Sequence, residues 1–159
     1  MPADDLTTLL DRLVTGKIEF ILVGGLAAVA QGAPITTHDL DIVHRRAEEN
    51  VNRLAATLRS LNARYRGRPG VPVPLDEGAL LRPGHSLFMT DLGALDVLGA
   101  IEQGRGYDDL LPDALLLQLP VGPVRVLSLE AIVRLKRQSS HPKDRLMLPI
   151  LEATLRGTR

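Results

Sequence analysis

Apolar residues recur along the chain in two different periods, which predict an alternation of helices and strands. Between residues 6 and 13 four leucines fall on one helical face, after an aspartate that can cap the helix, and Gly16 ends it. The run Phe20–Val23 is short and apolar throughout, which predicts a buried strand. A helix of small residues closed by Gly32 follows, and residues 36–43 predict a second strand.

Further helices and strands are predicted from residue 47 onward. Residues 47–62 carry the longest helical stripe, and residues 86–98 predict two strands joined by a tight turn. Two short strands, 115–119 and 124–127, precede C-terminal helices over residues 128–156. We therefore expect a fold of mixed α+β class, with a central mixed β-sheet flanked by helices.

Glycine and proline dominate residues 67–84, whose sequence is GRPGVPVPLDEGALLRPG. No regular helix or strand tolerates this density of prolines, so the segment predicts a long loop. Loops of this length in compact domains are usually functional or mobile. Two interpretations stay open, a lid over a functional site and a simple surface excursion, and the second is favoured.

Composition narrows the class of protein. A length of 159 residues suits one domain over residues 1–159, and 19 basic side chains balance 19 acidic ones, so no global field attracts nucleic acid. The absence of cysteine excludes disulfides and thiolate metal sites. Because the chain shows neither the form of a signal peptide nor an apolar run of membrane-spanning length, we expect a soluble, cytoplasmic protein without membrane contact.

Two aspartates on the second predicted strand are the main candidates for chemistry. Strand side chains alternate between faces, so Asp39 and Asp41 point the same way while Leu40 and Ile42 point into the core. Neighbouring carboxylates repel each other unless one is protonated or a cation lies between them. Mg²⁺ is commonly bound by one or two carboxylates together with phosphate oxygens of a substrate.

A double glycine lies directly after the first predicted strand. Gly24 and Gly25 lack Cβ atoms, so their backbone N–H groups can approach a phosphate closely. A strand, Gly-Gly, a helix and then Asp-x-Asp on the next strand resembles the signature of the nucleotidyltransferase (DNA polymerase β-like) superfamily. The segment from Val126 to Glu130, Lys136 and Pro142-Lys143-Asp144 is similar to the end of minimal nucleotidyltransferases and of nucleotidyltransferase-type toxins and antitoxins.

The resemblance implies a nucleotidyltransferase fold and a reaction. A nucleoside monophosphate would pass from a nucleoside triphosphate to an acceptor hydroxyl, with Mg²⁺ or Mn²⁺ as the metal. Gly24 and Gly25 would hold the phosphates, and Thr36 or Thr37 could donate a hydrogen bond near Asp39. Lys136 or Lys143 could reach the triphosphate, although either could equally be a surface charge.

Asp96 is an acid inside an otherwise apolar predicted strand, where an unpaired charge is unfavourable. A structural salt bridge is one explanation. The resemblance implies another, in which Asp96 joins Asp39 and Asp41 as a third metal ligand and takes the proton of the acceptor hydroxyl.

The identity of the acceptor stays open at this stage. An RNA end, a protein side chain and a small molecule such as an antibiotic all fit, as does a role in a toxin–antitoxin module with a cognate partner. The rival interpretations are a non-catalytic nucleotidyltransferase-fold partner or regulatory protein, since fold does not determine function, and an unrelated small α/β domain.

Overall fold

The chain folds into a mixed β-sheet with helices packed around it. The structure is a computed structural model that describes residues 5–67 and 73–157. The strands are β1 (Phe20–Val23), β2 (Asp39–His44), β3 (Arg64–Tyr65), β4 (His85–Thr90), β5 (Gly93–Leu98), β6 (Ala114–Leu119) and β7 (Gly122–Leu127). The helices are α1 (Leu6–Thr15), α2 (Gly24–Ala30), α3 (Glu48–Ser60), α4 (Glu77–Leu80), α5 (Tyr107–Leu110), α6 (Leu129–Gln138) and α7 (Pro142–Gly157). Short 3₁₀ turns at Glu102–Gly104 and Leu111–Asp113 flank α5.

The sheet has the order β3-β4-β5-β2-β1-β7-β6, which places β2 in its middle. Strand β2 runs antiparallel to β1 and parallel to β5, and β1 runs parallel to β7. Strands β4 and β5 form one antiparallel hairpin and β6 and β7 another, and the short strand β3 pairs with β4 at the edge opposite β6. The predicted mixed α+β class with a central mixed sheet is confirmed.

Local sequence signals explain why the helices begin where they do. The Asp5 carboxylate accepts a hydrogen bond from the Thr8 amide and caps α1, and the Ser128 hydroxyl accepts one from the Ala131 amide and caps α6. Leu9 and Leu13 of α1 are fully buried against the sheet. Strand β1, which lies between β2 and β7 in the interior of the sheet, is buried along its whole length.

Several elements differ from the expected boundaries, and β7, for example, begins at Gly122 rather than at residue 124. Strand β2 begins at Asp39 rather than at residue 36, since its pairing with β5 begins with Asp39 opposite Ala94. Helix α3 ends at Ser60, and Asn62 just beyond it has a φ of 52°, a left-handed conformation that stops a helix.

The predicted loop 67–84 lies partly outside the described residues, at 68–72. In its described part, Asp76 caps the short helix α4 by accepting a hydrogen bond from the Ala79 amide. Residues 75–82 contain no proline, which explains why a helical turn forms inside a segment expected to be irregular. Within the described ranges, none of the helices combines the length and the apolar character that crossing a bilayer requires.

Candidate active site

Three aspartates converge where β2 and β5 lie side by side in the centre of the sheet. Asp41 is paired directly with Asp96 in the parallel register, and Asp39 lies two residues earlier on the same face of β2. All three are half-buried, and each offers a carboxylate oxygen within 4.8 Å of the others. Leu40 and Ile42, on the opposite face of β2, are fully buried. Backbone pairing therefore enforces the proximity of the three acids.

The electrostatics of this triad are unfavourable without a cation. Burial, a hydrogen bond with Asp96 and the charges of Asp39 and Asp96 together raise the pKa of Asp41 to about 8, although the Arg66 guanidinium opposes them. Asp41 therefore binds a proton in the metal-free protein at neutral pH. A divalent cation would take the place of that proton.

Arg66 is a basic residue that contacts the triad. Its Nη2 donates a hydrogen bond to Asp96 Oδ1, and its Nη1 donates to the Phe88 carbonyl at 2.7 Å, which holds the guanidinium against β4. The ion pair is largely buried, with 27% of the Arg66 side chain and 15% of the Asp96 side chain exposed. Asp96 therefore forms a salt bridge with Arg66 and also belongs to the carboxylate cluster, although the sequence analysis treated the two as alternatives.

The double glycine lies against the triad. Gly24 has a φ of 70°, and a Cβ built there would lie inside the Asp41 carboxyl group, 2.9 Å from its Cγ. A Cβ on Gly25 would lie 2.9 Å from Thr37 Oγ1. Thr37 in turn donates a hydrogen bond of 3.1 Å from Oγ1 to the Asp39 carbonyl. Both glycines thus let the β1–α2 turn pack directly onto the segment that carries Asp39 and Asp41.

A cavity of about 180 Å³ opens beside the triad. Gly24 and Asp41 line one side, and Lys136 from α6 and Glu102 from the 3₁₀ turn after β5 also line it. The cavity therefore combines carboxylates, a tight glycine turn and one ammonium group. This combination suits an anionic ligand whose charge is bridged to the acids by a cation.

Comparison with solved structures identifies the architecture. LnuA, a lincosamide antibiotic adenylyltransferase in a lincomycin-bound structure, superposes with a TM-score of 0.61 at 15% identity, over 94% of this chain and 95% of that one. ANT(2'')-Ia in complex with adenylyl-2''-tobramycin gives 0.59 at 15% identity, over 94% and 87%. TM1012 of Thermotoga maritima, provisionally a nucleotidyltransferase, gives 0.54 at 21% identity, over 91% and 90%.

The chain has the nucleotidyltransferase fold. No protein-family model matches the sequence, and no curated protein matches it. A nucleotidyltransferase fold shared at such low identity does not by itself carry an activity, so function must be argued from the site.

Not every residue expected at the site of this nucleotidyltransferase fold lies there. Lys136 lines the cavity, whereas Lys143 is exposed in the first turn of α7 and is absent from the lining. Thr37, rather than Thr36, makes the hydrogen bond near Asp39. Arg66 and Glu102 were missed by the sequence analysis, although Arg66 belongs to a conspicuous basic cluster, Arg64-Tyr65-Arg66-Gly67-Arg68.

Proposed function

We propose that this protein is a metal-dependent nucleotidyltransferase, which transfers a nucleoside monophosphate from a nucleoside triphosphate to an acceptor hydroxyl. The observation that carries the proposal is the triad itself. Paired strands force Asp39, Asp41 and Asp96 together at a mutually repulsive spacing beside a glycine turn that admits no Cβ. Such an arrangement is unfavourable for stability and is typical of sites that bind a cation for function.

The residues present fit a hard divalent ion. Asp39, Asp41 and Asp96 would supply oxygen ligands only, as Mg²⁺ or Mn²⁺ prefers, and the raised pKa of Asp41 marks a place where positive charge is missing. When bound, the ion would neutralise charge on the phosphate oxygens and orient them for in-line displacement.

The remaining chemistry falls to side chains of this chain. The acceptor oxygen forms a bond to the α-phosphorus while the bond to pyrophosphate breaks, and Asp96 accepts the hydroxyl proton. Arg66 binds Oδ1 of Asp96 and so orients the carboxylate that faces the acceptor. The turn at Gly24 and Gly25, which packs tightly against Asp41 and Thr37, would offer backbone N–H groups to the phosphates. Lys136, which lines the cavity, would neutralise their outer oxygens. Lys143 would have to swing from an exposed position to do the same, so Lys136 is the better candidate.

A small-molecule hydroxyl is the acceptor class with the most support. LnuA and ANT(2'')-Ia, which share the fold over nearly the whole chain, are described with antibiotics as their ligands. An RNA end or a protein side chain as acceptor stays a prediction of the sequence resemblance, as does a role in a toxin–antitoxin module.

The test is transfer of label from each of four α-³²P nucleoside triphosphates, with Mg²⁺ or Mn²⁺. The acceptors to include are lincomycin, tobramycin, total RNA and a candidate partner protein. We expect Asp96→Asn to lower turnover at least about a hundredfold while triphosphate affinity changes little, because a proton acceptor acts in the transition state. Asp108→Asn, at an exposed aspartate on α5, is the matched control and should retain full turnover.

Two results would count against the proposal. Full turnover by Asp96→Asn would remove the assigned proton acceptor. Binding of triphosphate by the wild type without transfer to any acceptor would favour a non-catalytic, nucleotide-binding partner instead.

A further inference from the structure

Lys136, whose side chain lines the cavity, forms an ion pair with a residue of α7. Its Nζ donates a hydrogen bond of 2.9 Å to Asp144 Oδ1 on the first turn of α7. About a quarter of each side chain is exposed, 24% for Lys136 and 21% for Asp144. Helix α7 therefore holds, through one carboxylate, the position of a charge that α6 contributes to the cavity.

Asp144 is itself fixed by the connection between these helices. Its second oxygen, Oδ2, accepts a hydrogen bond of 2.6 Å from the Ser139 hydroxyl, and Ser139 Oγ accepts one of 3.1 Å from the His141 amide. Burial acts to raise the pKa of Asp144, but the hydrogen bonds from Ser139 and Lys136 outweigh it and lower the pKa. Asp144 is thus a charged group with both oxygens engaged.

This restraint matters for a lysine more than for most residues. A lysine side chain has four flexible carbons and loses considerable rotamer freedom when it is held in one place. Its ammonium has three donor hydrogens, of which the contact with Asp144 uses one. Among residues 5–67 and 73–157 no second acceptor is seen for this ammonium, so the other two hydrogens can serve a ligand in the cavity. Orientation before binding lowers the entropy loss on binding.

We propose that Asp144, held by Ser139, is a positioning residue that fixes the Lys136 ammonium at the cavity so that it binds the phosphates of the incoming nucleoside triphosphate. This inference rests on the function proposed above. It assigns a role in substrate affinity to a residue outside the cavity. A pair that served only to join the two helices would contribute modestly to stability and nothing to nucleotide binding.

Another ion pair between the same helices supplies a matched control. Arg137 Nε on α6 lies 3.5 Å from Glu152 Oε1 on α7, and neither residue lines the cavity. Glu152→Gln therefore removes a carboxylate charge from α7 and loosens its contact with α6, as Asp144→Asn does, without touching Lys136.

The experiment is calorimetric titration of the α,β-methylene analogues of four nucleoside triphosphates with Mg²⁺, which cannot be turned over. We expect Asp144→Asn to weaken the tightest analogue about tenfold, as loss of a charge-assisted hydrogen bond does. Glu152→Gln should leave this affinity unchanged. In a Lys136→Met background, Asp144→Asn should weaken binding no further, because the group that it positions is absent. Substrate KM should rise with little change in kcat.

Thermal melts of the same variants separate positioning from folding. An Asp144→Asn protein that melts lower but binds the analogue like the wild type overturns the inference, as would losses that add in full in the double variant. If Asp144→Asn does not fold, Ser139→Ala removes the supporting hydrogen bond to Asp144, together with the one from the His141 amide, and leaves the Asp144 carboxylate in place. About a threefold loss of affinity is then expected. Absence of analogue binding by the wild type would overturn the proposed function as well, whereas wild-type binding that Asp144→Asn and Ser139→Ala leave unchanged overturns this inference alone.

Discussion

Two groups of side chains flank the cavity. The acidic wall is the triad Asp39, Asp41 and Asp96, of which Asp41 lines the cavity. The basic wall is Lys136, which also lines it, together with its partner Asp144 behind it. Strands carry the acidic wall, and the pairing of β2 with β5 sets its spacing through backbone hydrogen bonds. Helices α6 and α7 carry the basic wall, and side-chain hydrogen bonds alone join Lys136 to Asp144. One wall is thus positioned by the main chain and the other by side chains.

This difference predicts how each wall responds to change. A substitution in the acidic wall alters charge but leaves the position of its neighbours almost unchanged, because the sheet register remains. In the basic wall, loss of one partner releases the other, since a partly exposed ion pair is weak and the lysine is flexible. Effects in the acidic wall should therefore be large and electrostatic, and effects in the basic wall smaller and concentrated in substrate affinity.

The largest effect is expected where the glycine turn meets the acidic wall. Gly24→Ala should lower turnover at least about a hundredfold, because its Cβ would displace the Asp41 carboxylate on which charge stabilisation depends. The control is Gly104→Ala, since Gly104 has nearly the same φ, 68° against 70°, but no atom within 4 Å of the new Cβ. Both variants should lose about 1 kcal/mol of stability from left-handed strain.

Turnover assays and thermal melts of these two variants distinguish displacement of Asp41 from backbone strain. If the two lose activity equally, backbone strain rather than contact with Asp41 is responsible. If Gly24→Ala retains turnover, the turn does not constrain the acidic wall.

The two walls also differ in how far the sequence could predict them. Alternation along a strand placed Asp39 and Asp41 on one face, and the apolar surroundings of Asp96 marked it as exceptional. Periodicity could not place Arg66, because it follows a strand of two residues, nor Glu102, which lies in a 3₁₀ turn. Lys136 and Lys143 were indistinguishable in the sequence, since their difference depends on how α6 and α7 pack. The order of strands in the sheet likewise depends on long-range pairing.

The second prediction concerns pH and Asp41. A carboxyl whose pKa is about 8 in the folded protein and 3.8 when unfolded takes up a proton on folding at any pH between these values. The folded state then binds more protons, so the metal-free protein should lose stability as pH rises from about 4 to 8, and no further above. Asp41→Asn should flatten this slope, a difference on the order of a few kcal/mol across the window.

Denaturant unfolding at several pH values, in the presence of a chelator, measures this slope. Saturating Mg²⁺ should reverse the trend in the wild type, because the ion binds the ionised carboxylate and its affinity rises with pH. Identical slopes for wild type and Asp41→Asn would show that other groups govern the pH dependence.

The smallest effect concerns Arg66, the only basic side chain that contacts the acidic wall among the described residues. Arg66→Met leaves three carboxylates without a compensating cation, so the metal-free variant should be about 1–2 kcal/mol less stable than the wild type. Mg²⁺ should narrow this gap, because the ion then supplies the missing positive charge. Arg64→Met, at an exposed neighbour two residues earlier, is the control and should melt like the wild type with and without Mg²⁺. A gap that Mg²⁺ leaves unchanged would mean that Arg66 stabilises β4 through Phe88 rather than the acidic wall through its charge.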